Sequence, residues 1–282
     1  MHQRQLIGKV QHVFPSTAFI TDIYEYERQH GWDTYVESYY TAFPGLSNAS
    51  PERTSCSRQP DGRLKKSGIR VRQEESEALK FARHLGLPVP SVHEFSPEKK
   101  AILMDFIEGD PLEHVWPTLS ESEKESFARQ LGKIVSTMRS GRQEEFRIGS
   151  INGPARDCRW IDDYTGGPFT DETAFNDFIL NLYSQCPRPI RAALMAQMRS
   201  DHGIRFTHAD LSPRNILVKD GEIKAIVDWE FAGWYPEHFE YVKFFECVTD
   251  CKDWKNFAPL IFEVSYPAEL AVQQAILRWQ RP

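Results

Sequence analysis

The segment from Phe206 to Trp234, FTHADLSPRNILVKDGEIKAIVDWEFAGW, constrains the fold more than any other part of the chain. Its Asp220-Gly221 pair favours a tight β-turn between two apolar strands. The open end of such a hairpin brings Asn215 close to Asp228, and Asp210 lies in the loop just before it. Burying two carboxylates and a carboxamide is costly unless they are paired or bind something. The segment therefore predicts a polar site at the open end of a hairpin.

The ligand types at this predicted site indicate a class of chemistry. Oxygen ligands from a loop and a strand end suit a hard divalent cation such as Mg²⁺. A spare carboxylate beside such a cation can orient a hydroxyl for attack on a phosphoryl group. A metal site made of His202 and His208 is disfavoured, because the nearby carboxylates suit magnesium better. The alternative is a polar loop with a purely structural role.

The pattern around this segment is that of a mixed α/β protein. The stretch EESEALKFARHLG predicts a helix that Gly86 ends, and Ala101–Met104 predicts a short apolar strand. A capping box of Ser120 and Glu123 opens the clearest helix, and Pro267 starts a helix near the end. A short hairpin is expected at Asp61-Gly62. The order of elements predicts two lobes with a cleft between them and a mostly helical second half.

The composition excludes several classes of function. With 282 residues and a formal net charge of −6, the chain has no overall attraction for phosphate backbones, so nucleic-acid binding is disfavoured. No run approaches the roughly 18 apolar residues that a membrane span needs, and the first residues do not resemble a secretory signal. Five scattered cysteines favour reduced thiols in a cytoplasmic setting. Cys247 and Cys251 have the spacing of one helix face and are predicted to be buried thiols rather than zinc ligands.

The motifs carry a resemblance to a known family. HADLSPRN has the form His-x-Asp-x-x-x-x-Asn, and IVDWE follows it at the spacing seen in kinase-like proteins. Together with LMDFIEGDPLEHVWPTLSESEK, IGSINGP, GGPFTDETAFNDFI and AGWYPEHFEYVKF, these motifs resemble the aminoglycoside phosphotransferase family, and its fungal members in particular. The resemblance covers roughly residues 64–280.

The resemblance implies a fold. It is an α+β, bilobal protein-kinase-like fold with a small β-rich N-terminal lobe and a larger, mainly helical C-terminal lobe. Residues 1–108 would form the nucleotide-binding lobe, in which residues 1–60 are poorly defined by their pattern. Residues 109–282 would form the lobe that carries the catalytic and substrate-binding groups.

The resemblance also implies roles for the residues of the hairpin segment. Asp210 matches the catalytic aspartate that orients the acceptor hydroxyl. Asn215 and Asp228 match two Mg²⁺ ligands, and His208 matches a histidine that supports the catalytic loop.

Further upstream, the resemblance implies the residues that hold the nucleotide. Met104, Asp105 and Ile107 match the hinge, where backbone groups of Asp105 and Ile107 would meet the adenine edge. Lys66 matches the phosphate-binding lysine, with Lys65 as second choice, and Glu75 matches its glutamate partner.

The same upstream residues also have simpler interpretations. The two lysines would by default be solvated surface charges, and Glu75 lies in an acidic run that suits an exposed helix start. The chain also departs from the family pattern: Arg63 and Lys65 flank Leu64 where apolar residues are usual, and no glycine-rich phosphate loop is evident before them.

Three functional hypotheses follow. The first is an ATP- or GTP-dependent phosphotransferase that acts on a hydroxyl of a small molecule. The second is a catalytically inactive pseudokinase that binds a ligand or partner, which the departures in the first lobe favour. The third, a protein kinase, is disfavoured because Ser212 replaces a lysine, Asp-Trp-Glu replaces Asp-Phe-Gly, and no Ala-Pro-Glu follows. The acceptor stays open, because kinship of fold does not transfer substrate.

Overall fold

The computed structural model describes residues 54–156, 165–181, 186–277 and 279. Most of the front of the chain, residues 1–53, and Cys158 therefore lie outside the described residues. The described chain begins with a four-stranded antiparallel sheet of order β1-β2-β4-β3. Its strands are β1 (Ser55–Arg58), β2 (Leu64–Ser67), β3 (Val92–Ser96) and β4 (Ala101–Met104).

Turn chemistry and apolar content explain this sheet. β1 and β2 form the hairpin expected at Asp61-Gly62, where the Asp61 side chain accepts the amide of Arg63 at 3.1 Å and Gly62 has a φ of +86°. The predicted strand Ala101–Met104 is confirmed, and it lies between β2 and β3 with most of its side chains buried. Local sequence therefore explains both central strands of the sheet, β2 and β4.

Helix α1 (Gln73–His84) follows the sheet's first hairpin, as predicted. Its end is fixed by Gly86, which has a φ of +79° and donates its amide to Arg83 O, while Leu87 donates to Ala82 O. This pair of bonds is the Schellman motif that satisfies the last carbonyls of a helix. The buried Ala78 and Leu79 place α1 in the same apolar cluster as β4.

The rest of the described chain combines helices with two small three-stranded sheets. One sheet has the order β5-β8-β9 and the other β6-β10-β7. The strands are β5 (Asp110–Pro111), β6 (Gly149–Ser150), β7 (Ile204–Thr207), β8 (Ile216–Lys219), β9 (Glu222–Ile226) and β10 (Gly233–Pro236). The helices are α2 (Leu112–Val115), α3 (Glu121–Arg139), α4 (Glu172–Asn181), α5 (Arg188–Met195), α6 (Phe239–Glu246), α7 (Ala258–Ile261) and α8 (Pro267–Leu277). Short 3₁₀ turns lie at Trp116–Thr118, Pro213–Asn215 and Trp254–Phe257.

Helix α3 forms the middle of this second part. Its capping box is present: the Ser120 side chain accepts the Glu123 amide, and the Glu123 side chain accepts the Ser120 amide at 2.8 Å. A buried stripe that includes Phe127, Leu131 and Val135 joins α3 to the apolar cluster that α1 also enters. One continuous core thus connects the sheet with the helical part.

The hairpin predicted at Asp220-Gly221 is confirmed. Asp220 has a φ of +54° and Gly221 of +77°, as a two-residue turn of the primed type requires. Ile216 pairs with Ile226, and the Val227 amide donates to Asn215 O at 2.9 Å. The pairing therefore continues past the strands to the residues of the predicted site.

The second part is mainly helical, as expected, and besides the predicted hairpin β8–β9 it contains the short strands β5, β6, β7 and β10, whose partners lie far along the chain. One sequence prediction needs correction. Cys247 and Cys251 do not share a helix face, since α6 ends at Glu246, although both are buried as expected. None of the helices in the described ranges is both long and apolar enough to cross a membrane.

Candidate active site

A cavity of about 530 Å³ lies between the first sheet and the β8–β9 hairpin. This volume is in the range of pockets that hold small ligands. Apolar side chains from both sides, Leu64 on β2 and Leu217 on β8, contribute to its wall. The structure also brings seven of the predicted site residues to this cavity: Lys66, Glu75, Met104, Asp105, Ile107, Asn215 and Asp228.

Lys66 is the residue that joins the two sides of the cavity. Its Nζ lies 2.6 Å from Glu75 Oε1 and 2.8 Å from Asp228 Oδ1. Lys66 is 8 % exposed and Glu75 is 2 % exposed, so neither is the solvated surface charge of the simpler interpretation. The neighbouring Lys65 pairs across to Ser57 on β1, and strand alternation directs its side chain to the opposite face.

The charges in this network stabilise one another. Burial alone would lower the pKa of the Lys66 ammonium, but Asp228 and Glu75 raise it above its usual value. Burial raises the pKa of Glu75 despite the ammonium beside it. For Asp228, burial opposes the charged form, yet the Lys66 ammonium lowers the net pKa below its usual range. Lys66 and Asp228 are therefore an ionised pair.

The hinge residues follow β4. Met104 ends the strand and is buried. The Asp105 amide donates to Ser91 O at 3.0 Å, and its carboxylate accepts the Ser91 amide at 3.1 Å. His93 Nε2 lies 2.7 Å from the second carboxylate oxygen of Asp105. Asp105 thus holds this segment to the start of β3, and the residues from Met104 to Ile107 line the cavity.

Asp210 is not among the residues that line the cavity, but it is hydrogen-bonded to Asn215, which is. It is 4 % exposed, and its Oδ2 accepts from Asn215 Nδ2 at 3.0 Å and from Arg214 at 2.8 Å. Asn215 Nδ2 also donates to Asp210 O at 2.9 Å, which leaves the amide oxygen Oδ1 as the atom that can bind a cation. The Asn215 and Asp228 oxygens are hard ligands, so the residues present fit Mg²⁺.

His208 holds the segment between β7 and the 3₁₀ turn. Its Nε2 donates to Val227 O at 3.0 Å, and its Nδ1 accepts the Asp210 amide at 3.2 Å. Full burial lowers the pKa of His208, which agrees with the neutral tautomer that these two bonds require. The indole of Trp229 packs edge-on against the ring at 4.6 Å. His208 therefore links Asp210 to the strand that leads into Asp228.

Glu240 is a site residue that the sequence analysis missed. Its Oε2 accepts the amides of His208 at 2.5 Å and Ala209 at 3.2 Å. Ala209 has a φ of +68°, a conformation that is costly for a residue with a side chain. Burial raises the pKa of Glu240 to about 7, against the effect of these two hydrogen bonds. The sequence signal for Glu240 was a glutamate within the largely apolar run AGWYPEHFEYVKF. In the structure Glu240 is 1 % exposed.

Arg214 and Glu230 were also missed. Arg214 covers the Asp210 carboxylate with a side chain that is 45 % exposed. Glu230 lines the cavity and pairs with Arg70 at 2.7 Å. Burial, and then the Asp228 charge, raise the pKa of Glu230 to about 7. The only sequence feature that pointed to them is that Arg214 lies within the HADLSPRN motif and Glu230 within the IVDWE motif.

Comparisons with known proteins show the fold and the family of the chain. The sheet, the hairpin and the helical part define a protein-kinase-like fold of mixed α+β class. The sequence model of the phosphotransferase enzyme family, APH, matches residues 63–258, and the chain therefore belongs to this family. A comparison with curated proteins gave no match. Whether the chain is related to fungal members in particular stays a prediction.

Solved structures show the same fold at low identity. An aminoglycoside-3′-phosphotransferase of type VIII is 15 % identical, with a TM-score of 0.55, 89 % of this chain covered and 99 % of the other. A ternary complex of APH(2″)-IIa with streptomycin and ATP is 14 % identical, with a TM-score of 0.53 and coverages of 86 % and 85 %. The macrolide 2′-phosphotransferase MphH from Brachybacterium faecium is 15 % identical, with a TM-score of 0.50 and coverages of 83 % and 82 %.

Proposed function

We propose that the protein transfers the γ-phosphoryl group of ATP to a hydroxyl of a small molecule. The observation that carries this proposal is the Lys66 ammonium, buried between Glu75 and Asp228 at the wall of a ligand-sized cavity. Such a lysine–glutamate pair beside a metal-binding aspartate is the arrangement that positions nucleotide phosphates in kinase-like enzymes. ATP complexes among the related folds favour ATP as donor, with GTP as the alternative.

In this proposal each residue has one task. Lys66, oriented by Glu75, binds the nucleotide phosphates, and the backbone at Asp105 and Ile107 meets the adenine edge. Asn215 and Asp228 supply the oxygen ligands for Mg²⁺, which when bound neutralises charge on the phosphates.

Asp210 orients the acceptor hydroxyl and accepts its proton. Because the transition state of phosphoryl transfer is loose, most of the catalytic effect comes from positioning. Asp210 Oδ2 already accepts hydrogen bonds from Arg214 and Asn215, so the acceptor hydroxyl would approach Oδ1, or Arg214 would have to move away from Oδ2.

We further propose that residues 1–108 and 109–282 act as the two lobes, and that the protein works in the cytoplasm. The free thiols of Cys56, Cys186 and Cys251 support a reducing compartment. The partners expected are the nucleotide and a small hydroxyl-bearing substrate.

The proposal is tested by turnover of purified protein with ATP and Mg²⁺ against a panel of aminoglycosides, macrolides, amino alcohols and sugars. Asp210→Asn keeps the shape of the side chain but removes the charge and the proton acceptor. It should lower acceptor-dependent ADP release by roughly 10²-fold or more, with ATP affinity nearly intact. Asp220→Asn is the matched control, because Asp220 lies in the exposed turn and asparagine tolerates its positive φ.

A pseudokinase is the second candidate, and the burial of Asp210 under Arg214 favours it. It predicts ATP binding by the wild-type protein without ADP release for any acceptor. Turnover by Asp210→Asn at the wild-type rate would refute the catalytic role of Asp210 altogether.

A further inference from the structure

A second cluster of ionisable side chains lies apart from the ligand cavity. Glu172 is the first residue of α4, His202 precedes β7, and His238 precedes α6. A small space of about 30 Å³ beside them is lined mainly by α4, α6 and α8. The residues that line the larger cavity include none of the three.

The three side chains point their ligand atoms at one another. One carboxylate oxygen of Glu172 and one ring nitrogen of each histidine lie within 4.8 Å of one another. Glu172 Oε1 lies 2.7 Å from His202 Nδ1 and 3.8 Å from His238 Nδ1. Ligands of a tetrahedral ion at about 2.0–2.1 Å are about 3.4 Å apart. The two distances lie on either side of that value, so small side-chain rotations would make room for an ion.

His238 presents a buried atom that needs a partner. Its Nδ1 is shielded from solvent, and within the described part of the chain it has no hydrogen-bond partner. At 3.8 Å from the Glu172 oxygen it faces a negative charge without a hydrogen bond. A buried polar atom in this position is costly, and a cation between the two atoms would satisfy both.

A second carboxylate orients His202. Its Nε2 lies 3.2 Å from Glu269 Oε1, on the side of the ring away from Glu172. When Nε2 donates its proton to Glu269, the lone pair of the neutral imidazole lies on Nδ1, toward Glu172 and His238. A carboxylate behind a histidine is the usual support of a metal ligand.

We propose that Glu172, His202 and His238 bind a divalent transition-metal ion, with Zn²⁺ as the ion that this ligand set suits best. Two imidazoles and one carboxylate are common ligands of zinc, and three protein ligands leave the fourth position to water. Glu269 acts as the outer partner of His202. The site takes a softer ion than the Mg²⁺ proposed for Asn215 and Asp228, because nitrogen ligands disfavour magnesium.

The place of the cluster in the fold gives the ion a structural role. His202 begins the segment that runs through β7 to His208, and His238 lies two residues before Glu240. Glu240 in turn holds the amides of His208 and Ala209. An ion at this cluster would therefore join α4 to both segments that fix the loop of Asp210.

The competing interpretation is a charge clamp without metal. A doubly protonated His202 would donate one proton to Glu172 and the other to Glu269, which also explains both short contacts. This clamp leaves His238 Nδ1 unused, whereas the metal site requires it. His238 is therefore the residue whose substitution separates the two interpretations.

The test uses the full-length protein after dialysis against a chelator. Zn²⁺ is titrated by calorimetry and by thermal melting, with Mg²⁺ as the control ion. One equivalent of Zn²⁺ should bind, and the melting temperature should rise by about 5–10 °C at 100-fold excess over Kd. His238→Gln should weaken Zn²⁺ binding at least 100-fold, while His84→Gln, the same change at an exposed histidine, should leave it unaltered.

Co²⁺ gives an independent readout, because tetrahedral Co²⁺ absorbs visible light and octahedral Co²⁺ in water absorbs only weakly. The visible bands should appear with wild-type protein and His84→Gln and be absent with His238→Gln. If Zn²⁺ fails to bind, or binds wild-type and His238→Gln equally, the metal site is refuted and the charge clamp stands.

Discussion

Lys66→Met, compared with Lys65→Met, tests the charge network that connects the sheet with the hairpin. Methionine keeps most of the volume and flexibility of lysine but has no charge. At position 66 it removes the ammonium that contacts Glu75 at 2.6 Å and Asp228 at 2.8 Å. At position 65 the same change affects a side chain on the opposite face of β2, which is half-buried.

The magnitude follows from burial. Removing one partner of a buried ion pair costs about 3–5 kcal/mol, since the other charge is left uncompensated. Here Glu75 is buried, but the Asp228 side chain is 36 % exposed, so water compensates part of its lost partner. Glu75 can also take up a proton, because burial has already raised its pKa. We therefore expect a loss of about 3 kcal/mol for Lys66→Met, and less than about 0.5 kcal/mol for Lys65→Met.

Thermal and chemical unfolding measure this difference. For a domain of this size, about 3 kcal/mol corresponds to a fall in Tm of roughly 6–12 °C. Calorimetry with ATP should also show an affinity at least about tenfold lower for Lys66→Met, the effect of losing a charge-assisted contact to phosphate. If the two variants melt together and bind ATP alike, Lys66 is neither the structural link nor the phosphate-binding lysine.

Three further substitutions test other parts of the site. Asp228→Ala should abolish the rise in Tm that ATP and Mg²⁺ cause together, and a rise equal to that of the wild type would refute the proposed metal ligand. His208→Ala should lower the free energy of unfolding in urea by about 3 kcal/mol, because it leaves the Val227 carbonyl unpaired beside a cavity. Lost turnover at unchanged stability would instead make His208 a catalytic residue. Gly233→Ala should lower the free energy of unfolding by at least about 1–3 kcal/mol, because a Cβ there would lie 2.1 Å from Gly149 O on β6. Wild-type stability in urea would show that β6 and β10 can separate without cost.

Local sequence patterns were sufficient to predict the strand and the two turns that position the candidate site. The apolar run at Ala101–Met104 and the turns at Asp61-Gly62 and Asp220-Gly221 are determined by residues that are neighbours in sequence. For that reason strand β4 was predicted with its correct ends, and the two hairpins with the correct turn residues.

Contacts between distant parts of the chain could not be predicted from local sequence patterns. Lys66 and Asp228 are 162 positions apart, and their proximity was expected only through the family resemblance. Glu240 contacts amides 31 and 32 positions away, and its charge gives no periodic signal. Strand β5 has two residues and forms only because β8 offers it a partner. Such features depend on tertiary packing, which local propensity does not contain.

The contact of Lys66 with Asp228 makes nucleotide binding, as proposed here, an exchange of partners. The ammonium has two carboxylates in the structure, and a phosphate group that binds it must compete with an internal anion. The new attraction is then offset by the one that is lost, so the net affinity is smaller than the number of contacts suggests. Adenosine would gain nothing from Lys66, whereas a polyphosphate is anionic enough to displace Asp228. The intramolecular competitor thus lowers the affinity for phosphate, and a variant without it would, in the absence of Mg²⁺, bind nucleotides more tightly than the wild type while its affinity for adenosine stayed the same.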